Sequence, residues 1–187
     1  MCPSDVVEWF EGTRNPLARQ QILTAGARFS GHRLMTSIGI TNTALPLNLE
    51  TEVCDWKRRE ERLVRASGLP YTIVRPGWFD YNAPDEHTVL FLQGDTRSAG
   101  GPQDGGAARR QIAEVLVGAL YTDEATNKAL ELFAQTGPAL DDLSACFAVL
   151  ERDTPGSLNG VLYPDTQPPT DEPARVLADL VAVRRQA

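Results

Sequence analysis

Two hydroxyl side chains, Thr36 and Ser37, lie at a point in the sequence where ligands often bind. The apolar residues around them predict a strand over residues 33–41, and the two hydroxyls lie where it turns polar. Ligands gather outside the carboxyl ends of strands in open α/β sheets. We therefore expect Ser37 to hydrogen-bond a substrate carbonyl. Alternatively, both hydroxyls satisfy local backbone groups where the strand turns.

A charged helix that carries Lys57 begins near Glu50 and ends before Gly68, a typical left-handed stop. Apolar residues recur at helical spacing on one face, at Val53, Trp56, Leu63 and Val64. The other face is charged, with Arg58, Arg59, Glu61, Arg62 and Arg65. Because acidic and basic residues are interleaved, a salt-bridged helix face is favoured over a phosphate site. Lys57 is either a ligand contact or a solvated side chain.

The strand after this helix covers residues 71–75 and ends at the Pro76-Gly77 turn. A basic helix, a tight turn and a short buried strand predict half of a parallel βαβ layer, and hence an α/β fold. Trp78 and Phe79 follow at the same edge of the sheet, where they are core or lid residues or ligand contacts. Arg75 is expected to pair with an acidic neighbour instead of a ligand.

The stretch DWKRREERLVRASGLPYTIVRPGWF resembles the last Rossmann helix and following strand of atypical short-chain dehydrogenase/reductase-like NAD(P)-binding proteins. Upstream, HRLMTSIGITN resembles the preceding strand, so that the resemblance covers roughly residues 5–121. It implies a Rossmann-like doubly wound parallel sheet, truncated at its N-terminal side, with a small C-terminal α+β region.

The same resemblance implies an oxidoreductase that moves a hydride between NAD(P) and a small carbonyl-type substrate, with a slight preference for NADP. It assigns the catalytic polar groups to Ser37 and Lys57, and it places Lys57 against the nicotinamide ribose. The backbone of the turn after the second strand would lie along the nicotinamide. The implied cofactor-binding residues are Thr36, Ser37, Ile38, Lys57, Pro76, Gly77, Trp78 and Phe79.

Two features of the resembled family are missing from the sequence. No strand is followed by the glycine-rich turn and helix that hold a pyrophosphate. Val53 occupies the position four residues before Lys57, where the family has its catalytic Tyr. The sequence thus predicts the C-terminal part of such a fold. The alternative is a non-catalytic binding protein or an inactive fragment. An open edge of the 33–41 strand also predicts a homodimer or a partner chain.

Composition and charge exclude several other classes of protein. A net charge of -7 argues against a general nucleic-acid surface, and no apolar run is long enough to span a bilayer. The first residues lack the pattern of a secretory signal, so we expect a cytoplasmic protein. The widely spaced Cys2, Cys54 and Cys146 are expected to be free thiols. His32 and His87 are isolated, which predicts no metal site.

The chain length of 187 residues predicts a single domain, with a core half at 1–80 and a substrate-side region at 81–187. Further helices are predicted over residues 5–23, 107–121 and 140–150, and strands over 88–93 and 129–134. A flexible loop is expected at 96–106, because it contains four glycines and a proline. A last helix begins near Thr170, and its predicted inner stripe is Val176, Leu177, Leu180 and Val183.

Overall fold

The computed structural model describes residues 31–186. The strands in this part of the chain are β1 (His32–Met35), β2 (Tyr71–Pro76), β3 (Trp78–Phe79), β4 (Thr88–Leu92), β5 (Gly106–Ala107) and β6 (Lys128–Gln135). The helices are α1 (Pro46–Thr51), α2 (Val53–Ala66), α3 (Arg109–Gly118), α4 (Ser144–Ala148) and α5 (Ala174–Arg184). None of these helices is long and apolar enough to cross a membrane. The helix predicted over residues 5–23 lies outside the described residues.

The main sheet has four strands in the order β1-β2-β6-β4. β1, β2 and β6 are parallel, whereas β4 pairs with β6 in the antiparallel direction. The register sets Met35 of β1 beside Val74 of β2, and Val74 beside Leu130 of β6. β3 and β5 form a separate two-stranded parallel pair. The predicted α/β class with a parallel sheet is therefore confirmed.

Helices pack on both faces of the sheet, because successive residues of β2 and β6 point to opposite sides. On one face, Val74 and Leu130 join an apolar cluster with α3. The α3 residues in this cluster are Ile112, Val115 and Leu116. On the other face, Ile73 and Ala129 pack with Val64 of α2 and with Tyr163. The sheet is thus wound on both sides, with α2 and α3 as the opposing layers.

The first strand is shorter than the sequence predicted. β1 ends at Met35, and the chain then turns through Gly39, whose φ is +79°. The amides of Thr36 and Ile38 still donate to the carbonyls of Val74 and Pro76, at 2.9 and 3.2 Å. The prediction of a strand through residue 41 is wrong, because the left-handed turn at Gly39 breaks the extended backbone.

The predicted helix from Glu50 is divided into α1 and α2 at Glu52, which has a φ of +55°. The buried Asn48 side chain spans this break. Its Oδ1 accepts hydrogen bonds from the amides of Cys54 and Asp55, at 2.8 and 3.2 Å. These are amides of the first turn of α2, which have no partner within the helix. Asn48 therefore fixes the start of the helix that carries Lys57.

The later elements follow the sequence prediction with shorter helices. The strands predicted over 88–93 and 129–134 are confirmed as β4 and β6. The helix predicted over 140–150 is reduced to the five residues of α4. The predicted loop at 96–106 contains a 3₁₀ turn, Pro102–Asp104, and the start of β5. α5 packs through Val176, Leu180 and Val183, but Leu177 is 38% exposed, so its predicted burial is wrong.

Candidate functional site

The carboxyl ends of β1 and β2 lie side by side, and this brings together two groups of residues singled out in the sequence. The amide of Ile38 donates to the carbonyl of Pro76, so that the Thr36–Ile38 segment runs beside the end of β2. The peptide that follows, Gly77, donates to the carbonyl of Leu132 in β6. Since ligands bind at such strand ends in open α/β sheets, this edge is the candidate site.

Lys57 reaches the same edge from α2. Its Nζ donates to the carbonyl oxygen of Thr36 at 3.4 Å, and the side chain is half-buried. Lys57 is therefore not a solvated side chain on an exposed helix face. Burial lowers the pKa of Lys57, and the neighbouring Glu60, Cys54 and Glu61 partly oppose this effect. An ammonium group has three donors, so the single long bond leaves donors available for a ligand.

Glu60 is a further ionisable group beside Lys57 that the sequence reasoning did not assign to a site. Burial raises the pKa of Glu60 to about 7, although Lys57 acts in the opposite direction. Its Oε2 is buried and has no hydrogen-bond partner among the described residues. The charge next to Lys57 therefore changes near neutral pH, and the unpaired oxygen is a free acceptor.

The two hydroxyls at the end of β1 have different environments. Thr36 is buried, and its Oγ1 donates to Oε1 of Glu61 at 2.8 Å. Its hydroxyl is therefore committed to the protein, and the alternative of a local backbone partner is wrong for this residue. Ser37 is half-buried, and its hydroxyl forms no hydrogen bond with another described residue. Of the two, Ser37 has the hydroxyl that is free to meet a ligand.

A buried ion cluster lies directly beneath these residues. Glu61 is fully buried and accepts hydrogen bonds from Arg75 Nε at 2.9 Å, Arg75 Nη2 at 2.7 Å and Arg65 Nη1 at 3.0 Å. Burial alone would raise the pKa of Glu61, but Arg75 and Arg65 outweigh it and lower the pKa to about 2. The prediction that Arg75 pairs with an acidic neighbour is confirmed, and Glu61 links that pair to Thr36.

The charged face of α2 is buried, contrary to the amphipathic pattern of the sequence. Arg62 is 1% exposed, and its Nη1 donates to Glu172 at 2.9 Å, while Arg59 Nε donates to the same carboxylate at 2.7 Å. Arg65 Nε likewise donates to Asp153 at 3.0 Å. The salt bridge predicted within the helix is present between Arg65 and Glu61, whereas Arg59 and Arg62 pair with a carboxylate far along the chain. Their acidic partners come from the C-terminal segment of residues 153–172, which covers this side of α2.

The turn after β2 requires Gly77, and the two aromatic residues that follow it have different packing partners. A Cβ at Gly77 would lie 2.4 Å from the carbonyl oxygen of Gly105, so no other residue fits there. Phe79 packs against the apolar cluster under α3, as a core residue would. Trp78 is half-buried and meets Tyr81 edge-to-face at 5.9 Å between ring centroids. Both side chains are thus partly accessible, and they differ in that Phe79 packs against the apolar cluster whereas Trp78 packs against Tyr81.

The position of the missing catalytic Tyr, Val53, is the first residue of α2 and offers no proton. The adjacent Cys54 is buried, and burial raises the pKa of its thiol to about 11. A neutral buried thiol packs as a small apolar group and is a poor nucleophile. Neither residue therefore replaces the hydroxyl of a Tyr.

The sequence reasoning missed Asp95, which shapes the turn after Ser37. Asp95 is 5% exposed, and its carboxylate accepts hydrogen bonds from the amide of Gly39 at 2.7 Å and of Thr41 at 3.0 Å. The hydroxyl of Thr41 donates to it as well, at 2.7 Å. No spacing in the sequence indicated this contact, because Asp95 and Gly39 are separated by 56 residues.

Residues 20–123 match the profile of a protein family described as NAD(P)H-binding. The chain belongs to this NAD(P)H-binding family. The matched residues include β1, α2, β2 and the turn with Gly77, which together form the candidate site. The resemblance to short-chain dehydrogenase/reductase-like NAD(P)-binding proteins with a Rossmann-like fold is confirmed.

Two plant proteins and one solved structure are similar to this NAD(P)H-binding chain. Sanguinarine reductase of Eschscholzia californica is 35% identical over 96 residues, which cover 50% of this chain and 34% of the reductase. The chloroplastic protein TIC 62 of Pisum sativum is 36% identical over 110 residues, which cover 55% of this chain and 20% of TIC 62. The chain thus spans about a third of the first relative's length and a fifth of the second's.

The solved structure belongs to a Bacillus halodurans protein described as a candidate NAD-dependent epimerase/dehydratase. It superposes with a TM-score of 0.47 and 19% identity, and the match covers 71% of this chain and 58% of that chain.

The residues of the site fit the nicotinamide-ribose end of a dinucleotide. A ribose presents hydroxyls that both donate and accept, and Lys57 has spare donors while Glu60 has a buried acceptor without a partner. Ser37 adds an unpaired hydroxyl at the same strand end. Within residues 31–186, no strand leads directly into a glycine-rich turn and helix that would hold the pyrophosphate. The fit is therefore limited to one end of the cofactor.

Proposed function

We propose that this chain binds the nicotinamide half of NAD(P) at the carboxyl ends of β1 and β2, and that it takes part in hydride transfer. The observation that carries this proposal is the position of Lys57, whose Nζ lies 3.4 Å from the carbonyl oxygen of Thr36, beside Ser37. A half-buried ammonium with spare donors suits a ribose hydroxyl. Membership of the NAD(P)H-binding family supports this choice of ligand over other polyhydroxylated molecules.

The proposed substrate is a small carbonyl compound that approaches Ser37. The cofactor, when bound, supplies the hydride, and the residues of this chain bind and orient the cofactor and the substrate. The Ser37 hydroxyl would donate a hydrogen bond to the substrate oxygen, and Lys57 would hold the ribose while its positive charge favours a developing negative charge nearby. Val53 has no proton to donate, so a proton delivered to the product must come from another group of the site or from water. Sanguinarine reductase, by its name, reduces sanguinarine.

Titration of the purified chain with NADPH and NADH by calorimetry tests the proposal. Lys57→Met should weaken NADPH binding by about tenfold or more, the usual cost of a lost charged hydrogen bond. Lys128→Met is the matched control, because Lys128 also donates its Nζ to a backbone carbonyl, that of Phe147 at 2.7 Å. Lys128 begins β6, so it lies at the opposite end of the parallel sheet.

Three results are informative in this titration. Tight binding that Lys57→Met alone abolishes supports the proposed site, and tighter binding of NADPH than NADH supports our preference for NADP. Equal losses in the Lys57 and Lys128 variants indicate general destabilisation. If wild-type protein binds neither nucleotide at about millimolar concentration, the proposal is ruled out. A millimolar Kd corresponds to only about 4 kcal/mol of binding free energy.

A second candidate function is a non-catalytic interaction protein that uses the outer edge of β1. Among the described residues, β1 pairs only with β2, and an unpaired strand edge is a template for another chain. The partner would be a second copy of this chain or a different chain that adds a strand. Sedimentation velocity tests this proposal. A monodisperse monomer that also binds NADPH would favour the first function, whereas a dimer that does not bind NADPH would favour the second.

A further inference from the structure

The turn that carries Ser37 is held in shape by a carboxylate from a distant loop. Asp95 lies just after β4, in a loop of residues 93–105, and has a left-handed backbone with φ of +54°. Its Oδ1 accepts the Gly39 amide at 2.7 Å, and its Oδ2 accepts both the Thr41 amide at 3.0 Å and the Thr41 hydroxyl at 2.7 Å. Both carboxylate oxygens are thus fully engaged with one short stretch of backbone.

Two other contacts fix the same region, one from the 93–105 loop and one from the C-terminal segment. The Asn42 side-chain amide donates to the carbonyl of Ser98 at 3.0 Å, which adds a second link to the 93–105 loop. The Thr166 hydroxyl donates to the carbonyl of Thr41 at 2.7 Å, which links the turn to the C-terminal segment. These two contacts involve backbone carbonyls, whereas Asp95 satisfies the buried amides of Gly39 and Thr41, and a buried amide without an acceptor is costly.

We propose that Asp95 is a positioning residue that holds the Ser37–Thr41 turn in the shape that binds the nicotinamide half of the cofactor. This inference rests on the proposed function. Asp95 does not touch the ligand in this proposal and acts only through the backbone of Gly39 and Thr41. With the carboxylate in place, the turn holds Ser37 beside Lys57. Without it, the turn adopts several conformations, and the affinity for the cofactor falls because only one of them binds.

An amide cannot replace this carboxylate. In Asp95→Asn, the NH₂ group would replace one of the two oxygens and would point a donor at a donor, either the Gly39 amide or the Thr41 amide. At least one hydrogen bond is lost in each orientation, together with the negative charge. The variant should therefore loosen the turn while leaving the size of the side chain unchanged.

Asp104 provides a closely matched control within the same loop. It is 6% exposed, and its carboxylate also accepts three hydrogen bonds, from the amides of Ala99 at 2.9 Å, Gly100 at 2.8 Å and Gly101 at 3.2 Å. These partners all lie within the loop, and none belongs to the Ser37–Thr41 turn. Asp104→Asn should thus disturb the fold to a similar extent without releasing the turn.

The experiment measures NADPH affinity by calorimetry, amide hydrogen exchange at Gly39 and Thr41, and thermal unfolding for wild type and both variants. We expect similar decreases in Tm for the two variants. Asp95→Asn should weaken NADPH binding by about tenfold and speed exchange at Gly39 and Thr41, whereas Asp104→Asn should change the Kd by less than about twofold. Thr41→Val removes only the hydroxyl bond and should weaken binding by a smaller factor, about threefold.

Several outcomes would overturn the inference. Equal effects of Asp95→Asn and Asp104→Asn on the Kd would show a general loss of stability, and unchanged affinity in Asp95→Asn would show that the turn needs no carboxylate. If Asp95→Asn does not fold, unchanged affinity in Thr41→Val overturns it. If wild-type protein binds no NADPH, the proposed function fails and the inference fails with it. Binding by wild type with unaffected variants overturns the inference alone.

Discussion

The two faces of the main sheet are built on different principles, although the same strands supply both. On the α3 face, Val74 and Leu130 lie in a cluster that contains only apolar residues. On the α2 face, the next residues along the same strands are Arg75 and Glu131, which are 2% and 1% exposed. The preceding residues, Ile73 and Ala129, lie in an apolar cluster on this face, so the α2 face becomes charged towards the carboxyl ends of β2 and β6.

The charged face depends on directional contacts that the apolar face does not need. Glu61 accepts from Arg75, Arg65 and Thr36, and the Arg75 guanidinium stacks 3.9 Å from the ring of Tyr163. Tyr163 in turn donates its hydroxyl to Glu131, whose pKa is raised by burial although this hydrogen bond opposes the shift. Buried ion pairs seldom exceed a well-packed apolar core in stability. The α2 face instead orients Thr36, and with it the strand end that carries Ser37.

Removal of the central carboxylate should produce the largest difference between the two faces. Glu61→Ala leaves Arg75 without its ion-pair partner in the core and leaves the Thr36 hydroxyl without an acceptor. We expect a loss of about 3–5 kcal/mol in the free energy of unfolding, the typical cost of breaking a buried pair by removing one partner. Urea unfolding followed by tryptophan fluorescence measures this loss. If the Ala variant does not fold, Glu61→Gln is used, with a smaller loss expected.

The matched control is an ion pair on the surface of α3. Arg110 and Glu114 are paired at 2.7 Å and i,i+4 spacing, with side chains 89% and 51% exposed. Glu114→Gln should cost at most about 0.5 kcal/mol. A Glu61→Ala loss as small as that of the control would mean that the buried cluster does not hold the α2 face together.

The α3 face could be predicted from the sequence because its packing is periodic and local. The spacing of Ile112, Val115 and Leu116 predicted the buried stripe, and these residues are 4%, 0% and 3% exposed. The burial of apolar side chains can be predicted without knowing which residues they contact, because the hydrophobic effect is not directional. The helix boundaries were less accurate, since fraying at helix ends depends on caps that the periodicity does not report.

The α2 face could be predicted only in part. The helix was predicted, but its amphipathic pattern is misleading, since Arg62 and Arg65 are buried as well as the apolar Val64, while Val53 and Leu63 are only partly buried. The reason is distance along the chain. Arg65 meets Asp153 across 88 residues, and Arg59 meets Glu172 across 113. A local sequence pattern therefore predicts that the arginines are exposed to solvent. The roles of Ser37 and Lys57, the cytoplasmic location and the oligomeric state stay predictions.

Acid should weaken the α2 face and leave the α3 face unchanged. Burial would raise the pKa of Glu61, but Arg75 and Arg65 lower it from 4.5 to about 2. A carboxylate with a lowered pKa stabilises the fold fully above its unfolded pKa, and this contribution is lost as the pH falls through its folded pKa. The contribution of Glu61 is on the order of 3 kcal/mol, and it should disappear between about pH 4.5 and about pH 2.

Urea unfolding over this pH range, in wild type and Glu61→Gln, measures the acid dependence. The Gln side chain does not titrate, so the variant should start less stable and lose less stability as the pH falls. Parallel curves for the two proteins would assign the acid sensitivity to other carboxylates. If the free energy of unfolding stayed constant down to about pH 3 in both wild type and variant, a lowered pKa of Glu61 would be contradicted.

The smallest effect is expected from a single methyl group on the α3 face. Ile112→Val removes one methyl from the apolar cluster and should cost about 0.5–1.5 kcal/mol in the free energy of unfolding. This loss should be the same at neutral and acidic pH, because the residues of the cluster carry no carboxyl or imidazole group that titrates in this range, and the NADPH affinity should not change. Val117→Ala, at a residue of the same helix that is 44% exposed, is the control and should cost less. If Ile112→Val instead weakens NADPH binding, the apolar face also positions the site, and the division of labour between the two faces is wrong.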